Sequence, residues 1–128
     1  MEIDLITLAC ERAARLPKEH AVRVYAIATN KRGQILAERG NSYHKSHPIQ
    51  KKWAMAVFQP EREFLHAEVS TLIAALKTGK KIDKLIIGRV DKQGNRKNGK
   101  PCIVCATMLE QEFPHVKIYW SKENDEND

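Results

Sequence analysis

Two short stretches of this 128-residue chain concentrate the side chains that can do chemistry. One is His66-Ala67-Glu68; the other is Pro101-Cys102-Ile103-Val104-Cys105. Residues three apart lie on one helix face, so Cys102 and Cys105 can reach a single metal. A helix N-terminus favours thiolates through its dipole, and the thiolate is the ligating form. One histidine completes a set of three, His66, Cys102 and Cys105, and leaves the fourth tetrahedral position open, which is the pattern of catalytic zinc. Glu68 is two residues beyond His66. If the metal lies off the helix end, Glu68 faces the open position as a general base and not as a ligand. Each stretch alone is weak. A Cys-x-x-Cys pair also serves redox chemistry or half of a structural zinc site, and most His-x-Glu pairs are surface residues. A closed zinc site, with His115, His47 or His44 as fourth ligand, is the competing reading.

Helices must open at both stretches for this to work. Leu65, Val69, Leu72, Ile73 and Leu76 form one apolar stripe, which predicts a helix from Phe64 to Lys77 with Gly79 beyond its C-terminus. Pro101 suits a first helical turn, and the pattern runs to Phe113 before Pro114 stops it. A further helix starts near Asp4 as N-cap, carries Leu5, Leu8, Ala9, Cys10, Ala13 and Leu16, and ends before Pro17. Cys10 there reads as a small buried residue. Strands are expected over Ala21–Thr29, Gln34–Arg39, Lys84–Val90 and Val116–Trp120, with a turn at Asn30-Lys31-Arg32-Gly33. Residues 41–63 read as a long loop with a short helix near Trp53 to Val57, and Asp91 to Lys100 as a basic loop. The order α, β, β, α, β, α, β argues a mixed sheet with helices on its faces.

Composition limits the alternatives. An apolar fraction of 42% and a charged fraction of 30% suit one globular domain. No apolar run approaches the roughly 18 residues of a membrane helix, and the acidic Met1-Glu2-Ile3-Asp4 start lacks a signal-like basic region. Three cysteines, two of them close together, fit reduced thiols or metal ligands in a cytoplasmic protein better than a disulfide scaffold. The net charge of +6 is uneven: the last eight residues hold one Lys and four acids, so residues 1–120 carry +9. A basic body favours anionic partners such as nucleotides or nucleic acid, although solubility alone also accounts for it. Residues 1–120 are therefore read as the domain, and 121–128 as an acidic tail expected to be disordered.

The two stretches in this order, His-x-Glu and then Pro-Cys-x-x-Cys, form the known signature of zinc deaminases. By it the chain resembles the cytidine deaminase-like superfamily over most of residues 1–120. The resemblance implies a three-layer α-β-α fold, with a mixed sheet of four to five strands and the active site at the N-termini of two helices. It implies one zinc per chain, hydrolytic removal of an exocyclic amine, and Glu68 as the proton carrier. A histidine as first ligand is similar to deoxycytidylate, guanine, tRNA adenosine and polynucleotide cytosine deaminases. Gly33 to Asn41 resembles the strand followed by a substrate-binding asparagine, which gives Asn41 a role toward sugar or base. Backbone N–H groups at Ala67 and near Cys102 resemble those that hold the base. A fifth core strand is usual in the superfamily, and little chain follows Trp120. His44 and His47 have spacing that would suit a second zinc, without a third ligand in view.

The expected substrate is a cytosine nucleoside or nucleotide. The loops 41–52 and 89–100 offer Lys45, Lys51, Lys52, Arg89, Lys92, Arg96, Lys97 and Lys100 for phosphate, with Tyr43 and Trp53 for stacking. The same residues would line a groove for tRNA or single-stranded nucleic acid, the alternative. An inactive zinc-stabilised binding module is the alternative of another class, and an intact Glu68 argues against it. A homo-oligomer is expected by resemblance only.

Overall fold

Strand alternation builds this molecule from the centre outwards. In the strand Arg23–Thr29 (β1), Val24, Ala26 and Ala28 face one side while Tyr25 and Ile27 face the other. The same alternation puts Leu85 and Ile87 of Lys84–Val90 (β3) on the first side and Ile86 and Val90 on the second. Both sides are apolar, so both must be covered, and this dictates three layers. The computed structural model describes residues 2–17, 23–41, 52, 55 and 66–123.

The helix Glu2–Ala14 (α1) covers the second side through Leu5, Ile6, Ala9, Cys10 and Ala13. The first side is covered by Ala67–Leu76 (α2) and Ile103–Glu112 (α3), which bury Val69, Leu72, Met108 and Leu109. Each such side chain contributes about 1.5–3 kcal/mol of burial. The strand Ile35–Gly40 (β2) pairs antiparallel with β1, which pairs antiparallel with β3. Lys117–Trp120 (β5) runs parallel to the first half of β3, with Leu85 opposite Ile118 and Ile87 opposite Trp120. The two-residue strand Arg96–Lys97 (β4) pairs antiparallel with Arg89–Val90, on the second half of β3. The sheet is mixed and has five strands.

This is the expected α-β-α architecture, with corrections at element ends. α1 begins at Glu2, so Asp4 lies inside the helix and not before it. α2 begins at Ala67, and Phe64 and Leu65 lie outside the described residues. α3 begins at Ile103, with Cys102 as its extended N-cap, so Pro101 lies before the helix and not in its first turn. β4 falls in the stretch read as a basic loop. Asp91 turns the chain there: its Oδ1 accepts the N–H groups of Gln93 and Asn95, both at 2.9 Å, and brings Arg96 back onto β3. The backbone N–H groups of Asn95 and Gln93 hold the Asp91 carboxyl below its ordinary range. The packed chain runs one residue past Trp120, since Ser121 is buried, and residues 124–128 lie outside the described part. No helix among the described residues is long and apolar enough to cross a membrane.

Candidate metal centre

His66 and Cys102 occupy equivalent places, each the N-cap of a helix on the same side of the sheet. His66 is extended at φ −77°, ψ 154°, and its carbonyl accepts the Ser70 N–H. Cys102 is extended at φ −66°, ψ 169°, and its carbonyl accepts the Ala106 N–H. N-caps are normally Ser, Thr, Asp or Asn, whose side chains bond the orphan N–H groups of the first turn. Neither His66 nor Cys102 makes such a bond. Both helices forgo about 0.5–2 kcal/mol of capping here, and the two side chains point at each other instead. Local rules broken without local compensation mark a functional site.

The donor atoms converge. His66 Nδ1 lies 3.2 Å from Cys105 Sγ and 3.4 Å from Cys102 Sγ. All three ligand atoms fall within 4.8 Å of one another. Zinc–sulfur and zinc–nitrogen bonds of about 2.3 and 2.0 Å at a tetrahedral angle separate N from S by roughly 3.5 Å, so the spacing fits one such ion. Among the described residues the cluster stops at three. His115, one residue considered as a fourth ligand, is exposed beyond α3, and His44 and His47 lie outside the described residues. The same-face argument for the cysteines needs amending: Cys102 is the cap and Cys105 is in the first turn, so they meet across a helix end and not along a helix flank.

The electrostatics of the cluster match a ligand set. The Cys105 thiol donates toward Cys102 and, with His66 nearby, outweighs burial and brings the Cys102 thiol down to about 3. The same hydrogen bond, together with burial and the neighbouring Glu68, pushes the Cys105 thiol well up. The two thiols are thus offset, Cys102 toward the thiolate and Cys105 toward the thiol, and binding a cation there would require the Cys105 proton to leave. Glu68 sits in the first turn of α2, buried, with its carboxyl beside the Cys105 thiol. Burial raises its pKa, against its own backbone N–H and His66. A carboxyl held close to the metal donors in a dry position can both take and return a proton.

The remaining candidate residues are spread more widely. Ala67 is fully buried at the first position of α2, where its N–H has no helical partner by position. Asn41 closes the β1–β2 ladder: its Oδ1 accepts the Val24 N–H and its N–H donates to the Val24 carbonyl, both at 3.0 Å. Arg96 reaches across to α1 and donates to Thr7 Oγ at 2.6 Å. Lys97 lies 3.6 Å from Glu123. Arg89 Nη1 is 3.5 Å from the Asn98 carbonyl, and Lys100 is exposed two residues before Cys102. Lys52 lies 3.7 Å from Glu112. Tyr43, Lys45, Lys51 and Trp53 lie outside the described residues. A cleft of about 320 Å³ runs between α3 and β5 past Pro101, Leu109, Phe113 and Trp120, and none of the three donors lines it.

Sequence reasoning missed Thr71, whose buried Oγ donates to the Ala26 carbonyl at 3.2 Å and fixes α2 to β1 one turn beyond His66. A threonine on the apolar side of α2 was the available signal.

Comparison with known proteins agrees with this geometry. The fold is similar to the apo crystal structure of a dCMP deaminase from the cyanophage S-TIM5, with a TM-score of 0.55 and 22% identity. The likeness covers 98% of this chain and 88% of that one. Among curated proteins, none matches by sequence. Residues 2–120 match the family described as the cytidine and deoxycytidylate deaminase zinc-binding region. With two capless helix ends turned toward each other and a family match spanning nearly the whole chain, this protein belongs to the family of the cytidine and deoxycytidylate deaminase zinc-binding region.

Proposed function

We propose that the chain is a hydrolytic deaminase that removes the exocyclic amine of a cytosine nucleoside or nucleotide, with one zinc per chain. The observation that carries this is the convergence of His66, Cys102 and Cys105 with a buried, unligated carboxyl, Glu68, beside them. When bound in such a set, zinc supplies Lewis acidity that brings the pKa of a water to about 7. Glu68 takes one proton from the attacking water and passes it to the ring nitrogen; it then takes the remaining proton of the new hydroxyl and gives it to the amino group, so that the C–N bond breaks, a carbonyl forms and ammonia leaves. Burial keeps each proton from bulk solvent between the steps. The N–H of Ala67 and Asn41 hold the base and sugar in this reading, and Arg89 and Lys100 meet a phosphate. The likeness to a dCMP deaminase supports a nucleotide over a free base.

Ammonia release should be measured on zinc-loaded protein with cytidine, deoxycytidine, dCMP, adenosine, guanine and a single-stranded oligonucleotide. Release from the cytosine monomers, with about one zinc per chain, is the expected result. Release from the oligonucleotide alone would replace this reading by the nucleic-acid alternative.

A further inference from the structure

Ser121 is fully buried at the end of β5 and has all its polar groups engaged. Its N–H donates to the Ile87 carbonyl at 2.9 Å, and its carbonyl accepts the Gly99 N–H at 2.9 Å. Its Oγ accepts the Arg89 N–H at 3.0 Å and donates to the Lys97 carbonyl at 2.7 Å. Four bonds from one residue thus join β5, β3 and the connection from β4 to α3. That connection has no ladder of its own between Lys97 and Cys102. Among what shapes it are this knot, the Arg89 Nη1 contact to the Asn98 carbonyl at 3.5 Å, a local turn in which Asn98 Oδ1 accepts the Lys100 N–H at 2.9 Å, and the restricted φ of Pro101. Gly99 packs directly against the knot. A Cβ there would lie 3.1 Å from Ser121 Oγ and 3.2 Å from the Ile87 carbonyl oxygen.

The three donors are not held equally. His66 opens α2, which Thr71 fixes to β1, and Cys105 is fully buried in the core between α3 and the sheet. Cys102 is only half-buried and sits three residues after Gly99. We infer that Ser121 is a positioning residue for the metal centre: through Lys97 and Gly99 it fixes where the chain delivers Cys102 at the head of α3. The inference rests on the zinc reading above. It assigns a role to a residue that, by sequence, belongs to the polar tail.

The test is zinc affinity, measured by competition with a chromophoric chelator well below the unfolding temperature, together with the visible spectrum of the cobalt-substituted protein. Ser121→Ala removes the Oγ and strands the Arg89 N–H and the Lys97 carbonyl. Gly99→Ala keeps every hydrogen bond donor and acceptor and presses a methyl onto the knot from the other side. Gly33→Ala, strained by its φ of +83° in the turn between β1 and β2 with no neighbour within 4 Å of a Cβ, is the control for lost stability away from the knot. Both knot variants should bind zinc about 10-fold more weakly or worse, in the range of losses from residues that orient ligands, and should shift the cobalt bands. The control should do neither. If Ser121→Ala does not fold, Gly99→Ala is read in the same way. Unchanged zinc affinity in the knot variants, or an equal loss in the control, would overturn the inference. A wild type that binds no zinc would instead sink the zinc reading beneath it.

Discussion

The proposed function asks one carboxyl, Glu68, to sit close to the three metal donors without being one of them. Glu68 follows His66 by two residues, a spacing that separates side chains in mid-helix. The separation closes only because His66 is the cap and Glu68 lies in the first turn, so that both look off the end of α2. Burial keeps the carboxyl dry and raises its pKa, which suits a group that must hold a proton between steps. Glu68→Ala should therefore keep about one zinc per chain and keep the fold, because the three donors are untouched. Turnover should fall by several orders of magnitude, since each positioned proton transfer is worth about 100-fold or more. Glu68→Gln, which preserves shape and burial, should be equally inactive. Steady-state ammonia release with zinc content measured on the same samples checks this. A variant with half the wild-type rate would show that Glu68 only fills space.

At the scale of elements, the sheet divides the molecule into a chemical side and a structural side. α2 and α3 bring the donors from one face, while α1 covers the other. Gly88 makes the second arrangement tight: a Cβ there would lie 2.5 Å from the Cys10 nitrogen and 2.6 Å from the Ala9 carbonyl carbon. These are backbone atoms and cannot swing aside, so Gly88→Ala must lift α1 from β3. It should cost about 1–3 kcal/mol, the usual range for overpacking, and chemical denaturation of the zinc-free protein reads it. The same division explains what was legible in the sequence. Apolar stripes found α1 and α2, Pro101 and Pro114 framed α3, and apolar, β-branched runs between turn residues found the four longer strands. His-x-Glu and Pro-Cys-x-x-Cys were legible because each motif is local and opens a helix. β4 was hidden, since two basic residues carry no apolar pattern and only the Asp91 turn builds them. Ser121 was hidden for a different reason. Its importance lies in four partners from residues 87 to 99, and no local spacing encodes contacts across the sheet.

For the molecule as a whole, the open question is what its positive charge is for. Residues 1–120 carry +9, but the structure distributes that charge unevenly. Arg96 is committed to Thr7 on the α1 side, and Lys97 faces Glu123 at the start of the acidic tail. Lys92 and Lys100 are exposed, and Lys100 is close in sequence to Cys102. A nucleic-acid groove would need these cations to act together, whereas a nucleotide site needs one or two beside the metal. The two cases respond differently to salt. If Lys92, Lys97 and Lys100 each neutralise a phosphate of a single strand, the log–log slope of affinity against salt should be near −2, at about −0.7 per contact. Changing all three to Ala should then flatten it. If the substrate is a nucleotide, oligonucleotide binding should be weak at every salt concentration. The triple variant should then raise KM for dCMP with little change in kcat, because the lost contact is made equally in ground and transition states. KM for deoxycytidine, which has no phosphate, should stay where it was. The single change Lys100→Ala should reproduce most of that difference, since Lys100 alone of the three lies within two residues of a metal donor. We expect the nucleotide outcome, because the structure already spends Arg96 and Lys97 on contacts within the chain.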